Sequence, residues 1–187
     1  MEAVNHLSSP CLVLAGAGSG KTRVITQKIA RLLQAGLHPA NIGAITFTNK
    51  AAQEMRERAK ALVGPKAAKH LVISTFHSLG VRLLREDGAR LGLKPQFSIL
   101  DSDDVLGLMR EAGGTTDPKV ARGWQWTISL WKNNGLTPEQ AEASAKTPDE
   151  VVAARVMRLY QERLTAYQAV DFDDLISLPL ALLQRDE

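Results

Sequence analysis

The chain has 187 residues, of which 44% are apolar and 23% charged, with a formal net charge of +3; that is enough to bury a core without staples and suits one domain plus an insertion. No apolar run approaches the ~18–20 residues of a membrane span, and Met1 is followed by Glu2 and polar residues rather than by a basic and then apolar leader, so a cytoplasmic address is expected. The small basic excess is compatible with a polyanionic partner and does not establish one.

In the first half, short apolar runs give way three times to small or polar residues and then to a segment with helical spacing. Cys11–Leu14 leads through glycines into a helix from about Lys21, with Ile25, Ile29, Leu32 and Leu33 on one face and Gly36 and Pro39 stopping it. Cys11, the only cysteine, sits in this run, where a reduced, buried thiol is expected. Ile42–Phe47 leads through Thr48 and Asn49, both plausible caps, into a helix with Ala51, Ala52, Met55, Ala59 and Leu62 facing one way. Leu71–Ser74 leads through Thr75-Phe76-His77-Ser78 into a helix bearing Leu79, Leu83 and Leu84. Such alternation predicts an α/β fold with a parallel sheet covered by helices on both faces and ligands at the carboxyl ends of the strands.

After Gly88 the pattern becomes mostly helical, interrupted at Gly113-Gly114, Pro118, Gly135 and Thr147-Pro148. Thr137-Pro138-Glu139-Gln140 and Thr147-Pro148-Asp149-Glu150 both read as helix starts. Phe97–Asp101 is an apolar run ending in a carboxylate, but Ser102, Asp103 and Asp104 favour a cap opening the next helix. Asp171, Asp173 and Asp174 follow what looks like a helix end at Tyr167 and Gln168, and are better read as a cap for one more apolar helix.

The chemistry is concentrated in Ala15-Gly16-Ala17-Gly18-Ser19-Gly20-Lys21-Thr22, a phosphate loop between an apolar run and a helix. Gly16, Gly18 and Gly20 permit backbone angles that turn amide N–H groups inward, and the helix start adds partial positive charge. Lys21 should reach the β- and γ-phosphates of a nucleoside triphosphate and Thr22 should ligate magnesium, which makes Lys21 and Thr22 the catalytic candidates and ATP with Mg2+ the expected cofactors. Arg23 is either a solvated first-turn residue or a nucleotide contact.

Thr46-Phe47-Thr48-Asn49-Lys50 and Ser74-Thr75-Phe76-His77-Ser78 fall at the expected ends of the next two strands. Rings that stack on bases beside groups that hold phosphates suit a single nucleic-acid strand. The residues alone leave open whether Phe47 and Phe76 are core side chains and the hydroxyls helix caps. Trp124, Trp126 and Trp131, with Arg122 and Lys132 nearby, do not share one helix face and are expected to pack within the helical region. Arg155, Arg158 and Arg163 read as a solvated face, and His6, His38 and His70 show no metal spacing.

Taken together, the loop through Arg23-Val24, Thr-Phe-Thr-Asn-Lys-Ala-Ala at 46–52, Ser-Thr-Phe-His-Ser at 74–78 and Asp-Phe-Asp-Asp-Leu at 171–175 resemble the UvrD/Rep group of superfamily 1 DNA helicases, the Rep-like branch most closely. The resemblance implies a P-loop NTPase (RecA-like) motor subdomain over 1–86 and 170–187, incomplete, with an all-α inserted subdomain over 87–169. It places Arg23 against adenine and Phe47, Thr48, Asn49, Thr75 and His77 on single-stranded DNA. The implied activity is ATP-driven 3′ to 5′ translocation with unwinding at single-strand/duplex junctions, in replication or repair.

Two departures accompany it. Only Glu2-Ala3-Val4 matches the tail of the family's adenine-reading glutamine motif, and no strand ending in Asp-Glu, the water-activating motif, precedes Glu187. An amino-terminal portion of a helicase is therefore expected, monomeric and inactive in hydrolysis by itself. The rival readings are a nucleotide-dependent DNA-binding module without turnover and a P-loop small-molecule kinase, which would need an acceptor pocket and an arginine-bearing lid.

Overall fold

The computed structural model describes residues 2–185, and the chain divides into two compact units, Met1–Phe76 and His77–Glu187. The first begins with a short helix α1 (Glu2–Asn5) and, after the glycine loop, α2 (Lys21–Gln34). Strand β1 (Gly43–Thr46) leads into α3 (Asn49–Ala68), and β2 (Val72–Thr75) closes the unit. The two strands pair in parallel, with Thr46 opposite Thr75, so their carboxyl ends lie side by side. Ile29 of α2, Ala44 and Ile73 of the strands, and Met55 and Ala59 of α3 share one buried cluster with Ile42, the helical stripe meeting the strand residues as the periodicities require.

Three expectations are corrected here. Cys11–Leu14 is not a strand: no strand among the described residues pairs with it, and Leu12 and Leu14 are 85% and 86% exposed. A parallel strand exists only through its neighbours' hydrogen bonds, and among the described residues β1 and β2 pair only with each other. For the same reason Cys11 is exposed rather than buried, its sulfur 3.5 Å from the Lys28 ammonium. Leu62 is also exposed, because the helix breaks at Gly64, where φ is 81° and Pro65 follows.

The second unit is predominantly helical. It contains α4 (Phe76–Asp87, beginning one residue earlier), the two-residue strand β3 (Ser98–Ile99), α5 (Ser102–Gly113), α6 (Pro118–Asn133), α7 (Pro138–Ser144) and α8 (Pro148–Tyr167). Strand β4 (Ala169–Val170) pairs in parallel with β3, and α9 (Asp174–Arg185) ends the unit. Thr137 and Thr147 form the reciprocal boxes with Gln140 and Glu150 that the sequence specifies, whereas the cap expected from Ser102, Asp103 and Asp104 falls earlier, on Asp101, which accepts from the amides of Asp103 and Asp104. Gln168, in the left-handed region at φ 50°, ends α8. Tyr160, Met157, Ile128 and Met109 lie at the heart of one cluster; Leu84, Phe97, Val170 and Leu175 form another. No helix among the described residues is long and apolar enough to cross a membrane.

Candidate functional site

The loop before α2 is shaped by its glycines. Gly18 and Gly20 have φ of 74° and 83°, the left-handed region closed to most side chains. The Ser19 hydroxyl and amide both donate to the Gly16 carbonyl, at 2.7 and 3.4 Å, pinching the turn. Lys21 folds back over it, its ammonium donating to the carbonyls of Ala15 at 3.1 Å and Gly16 at 2.6 Å. At the start of α2, Gly20 provides no side-chain cap, whereas Thr48, Asp101, Asp117, Thr137 and Thr147 each accept from an amide at the start of their own helices. First-turn amides without a side-chain acceptor, a helix dipole and a lysine on the same turn form a donor set that fits a polyphosphate. Nothing stands within 4 Å of the position a Cβ would take at Gly16, Gly18 or Gly20, so the backbone there is open to approach. Thr22 is half-buried in the first turn and Arg23 exposed beside it; Ala17 completes the exposed loop.

At the ends of the paired strands the structure brings together two of the aromatic rings noted in the sequence. Phe47 is 87% exposed and its ring centroid lies 5.8 Å from that of Phe76, itself about half exposed. Neither is a core residue, which removes half of the alternative left open by the sequence. The other half holds for one hydroxyl: Thr48 Oγ1 accepts from the Ala51 amide at 3.1 Å and caps α3. Asn49 opens that helix, exposed. Thr75 is buried at the end of β2.

His77 begins the second unit, exposed, with its ring centroid 5.5 Å from that of Phe172. Phe172 is 55% exposed; in the sequence it figures only as part of the Asp-Phe-Asp-Asp-Leu motif, with no role of its own, because it lies between cap residues. A bulky apolar side chain inside an otherwise polar Asp-Phe-Asp-Asp cap was the available signal. Of the three tryptophans, Trp124 and Trp131 pack against the α5–α6–α8 core as expected, but Trp126 is 78% exposed.

The Asp-Phe-Asp-Asp segment is more than a cap. Asp171 and Asp174 exchange backbone-to-carboxylate hydrogen bonds of 3.2 and 2.9 Å, and both carboxylates hold the buried Lys132 ammonium, at 2.6 and 2.8 Å. Tyr160 donates its hydroxyl to Asp171 at 2.8 Å. Burial acts to lower the Lys132 pKa, but the two carboxylates outweigh it and the net shift is upward. Burial also opposes ionisation of Asp171, yet Lys132 keeps it below the usual carboxylate range, while Asp174, burdened by burial and by its neighbour, is pushed up to about 6. Tyr160 stays protonated, its pKa raised by burial and by Asp171. Lys132 was legible only as an oddity: it falls on the same stripe of α6 as the buried Ala121 and Ile128.

The first unit thus offers two parallel strands with adjacent carboxyl ends and a glycine loop, and the second is predominantly helical. The model of the UvrD/REP helicase N-terminal domain matches residues 1–187, and the chain belongs to that family. Among its relatives, the ATP-dependent DNA helicase Rep of Escherichia coli K12 is 50% identical over all of this chain and 28% of its own length. The ATP-dependent DNA helicase PcrA of Bacillus subtilis is 45% identical over 98% of this chain and 25% of its own length, and PcrA of Leuconostoc citreum is 44% identical with the same coverage. The chain thus spans about a quarter of the relatives it matches.

Proposed function

We propose that this chain supplies the nucleotide-binding and single-strand-gripping part of an ATP-dependent 3′ to 5′ DNA helicase acting at single-strand/duplex junctions. Residues 1–86 and 170–187 belong to a RecA-like motor subdomain in this reading, and 87–169 to its insertion. Family membership supports the helicase reading, and the observation that carries the DNA face is the exposed Phe47–Phe76 pair at adjacent strand ends. Aromatic side chains left in water beside helix starts suit stacking on bases of either identity, which a translocating protein requires. Thr48, Asn49, Thr75 and His77 are assigned to the same strand. Phe47→Ala should weaken binding of a labelled oligonucleotide by roughly 5-fold or more, the scale of one lost stacking contact, without altering nucleotide affinity; anisotropy showing no loss would remove the DNA assignment.

The amides of Ala15–Gly20 and of the α2 start, with Lys21, would hold the ATP phosphates, Thr22 would ligate magnesium and Arg23 would lie against the base. Bound there, magnesium would neutralise charge on the phosphate oxygens and ATP would supply the phosphoryl group passed to water. Lys21 has only to exchange the Ala15 and Gly16 carbonyls for phosphate oxygens, a short swing of an ammonium already at the turn. Lys21→Ala removes charge-assisted hydrogen bonds worth about 1.5–3 kcal/mol, so titration calorimetry should show at least ~10-fold weaker binding of an ATP analogue. Equal affinity would overturn the loop assignment. By itself the 187-residue chain should bind ATP with little hydrolysis.

A further inference from the structure

An open cavity of about 520 Å³ lies within the second unit, in the size range of small-molecule sites. Val105, Met109 and Ile128, all buried, give it an apolar floor. Trp126 of α6 lines it too, with its indole left largely in water. Two hydrogen bonds set the acids around that ring. Gln125 donates to the Ser102 hydroxyl at 3.4 Å, which keeps the Asp101 cap of α5 beside the middle of α6, and Asn133 donates to Asp173 at 3.0 Å, which keeps that carboxylate near the end of α6. Both acids line the cavity, and the two anchoring residues of α6 are about 12 Å apart along the helix axis. Asp101 and Asp173 meet their partners through Oδ1, and a carboxylate has a second oxygen to offer. Asp103 and Asp104 add negative charge at the same helix start, whereas the one cation among the described lining residues is Arg122.

On a chain whose net charge is +3, a cavity rimmed by carboxylates selects a cationic occupant over a polyanion. The ring narrows the choice of cation. A guanidinium lies flat on an indole and still offers a carboxylate two parallel N–H groups, which an ammonium cannot do. The floor adds a third requirement, an aliphatic side chain next to the cation. Four extended residues span about 13 Å, close to the interval between the two acids' anchoring points. We infer that the cavity docks a short extended segment of a partner protein in which arginines flank apolar residues. One guanidinium stacks on Trp126 beside Asp101, the other pairs with Asp173, and the apolar residues between them cover Val105, Met109 and Ile128. This contact is to protein rather than DNA, and it stands apart from the nucleotide and strand-end readings.

The test is anisotropy of rhodamine-labelled tetrapeptide amides titrated with the 187-residue chain at low salt, where such charge pairs are least screened. Arg-Leu-Leu-Arg should saturate, and Gln-Leu-Leu-Gln and Arg-Ser-Ser-Arg, each lacking one determinant, should bind at least about 5-fold more weakly. Trp126→Ala and Asp173→Asn should each lose about 5-fold or more with unchanged circular dichroism. Arg122→Ala should gain about 2-fold or more, because it removes a like charge from the rim, and disturbed folding cannot produce that sign. No saturation up to about 1 mM overturns the inference. Equal affinities for the three peptides overturn it, as does Trp126→Ala or Asp173→Asn binding like the wild type, or Arg122→Ala failing to tighten. A loss accompanied by altered dichroism is structural and overturns it too. An oligodeoxythymidylate of about 12 nucleotides that displaces the peptide and is itself weakened by Arg122→Ala would assign the cavity to nucleic acid instead.

Discussion

Lys132 sits between two carboxylates, so the buried cluster holds one negative charge too many when all three groups are ionised. One proton relieves it, and Asp174, at about 6 against an ordinary 3.8, is where it binds. Between those values the folded chain holds a proton that the unfolded chain has released, so this group's contribution to stability grows as pH falls from above 6 toward 4 and diminishes as pH rises through 6. Asp171 works oppositely and only at lower pH, its folded pKa lying below the usual range. Thermal melts of the wild type should therefore show a gain between pH 7.5 and pH 5 that Asp174→Asn largely lacks, since the amide cannot titrate. Identical pH profiles for the two proteins would show that the cluster does not titrate as described. Lys132→Met would be harsher at neutral pH, because it leaves both carboxylates buried without a cation.

Between elements, α4 approaches the start of α9 closely. Gly80 is buried, and a Cβ there would overlap the carbonyl oxygen of Leu175, with the Pro179 ring close by. Gly80→Ala must push the two helices apart, at a cost of about 1–3 kcal/mol typical of overpacking. Gly107, in the middle of α5, has nothing within 4 Å of that position, so Gly107→Ala should stabilise by about 0.5–1 kcal/mol through helix propensity alone. Urea unfolding should move the two midpoints in opposite directions; a neutral Gly80→Ala would mean that the helices yield freely. The sequence offered no hint of which glycine was which, because a close approach between distant segments leaves no mark on local pattern. Caps are the contrary case: Thr137 and Thr147 act within four residues of themselves and were readable in advance, and the cap expected at Ser102–Asp104 was displaced only to the neighbouring Asp101.

For the molecule as a whole, the sequence announced parallel strands, a helical second half and the loop, because hydrophobic period and turn chemistry are local. It misjudged Cys11–Leu14, since whether an apolar run becomes a strand depends on partners elsewhere. It also gave no warning of Phe172 beside His77 or of Trp126 in solvent, both matters of which helix face meets which neighbour. The unpaired Cys11–Leu14 run bears on ligand affinity. On its downstream side the glycine loop is anchored to α2, but upstream it continues into backbone that no ladder restrains. A triphosphate settling onto such a loop must immobilise several residues that a sheet would already have held still, at roughly 1 kcal/mol or more of conformational entropy for each. If the loop holds ATP as proposed, its affinity will depend on whatever steadies Leu12 and Leu14 as well as on the groups that touch the phosphates.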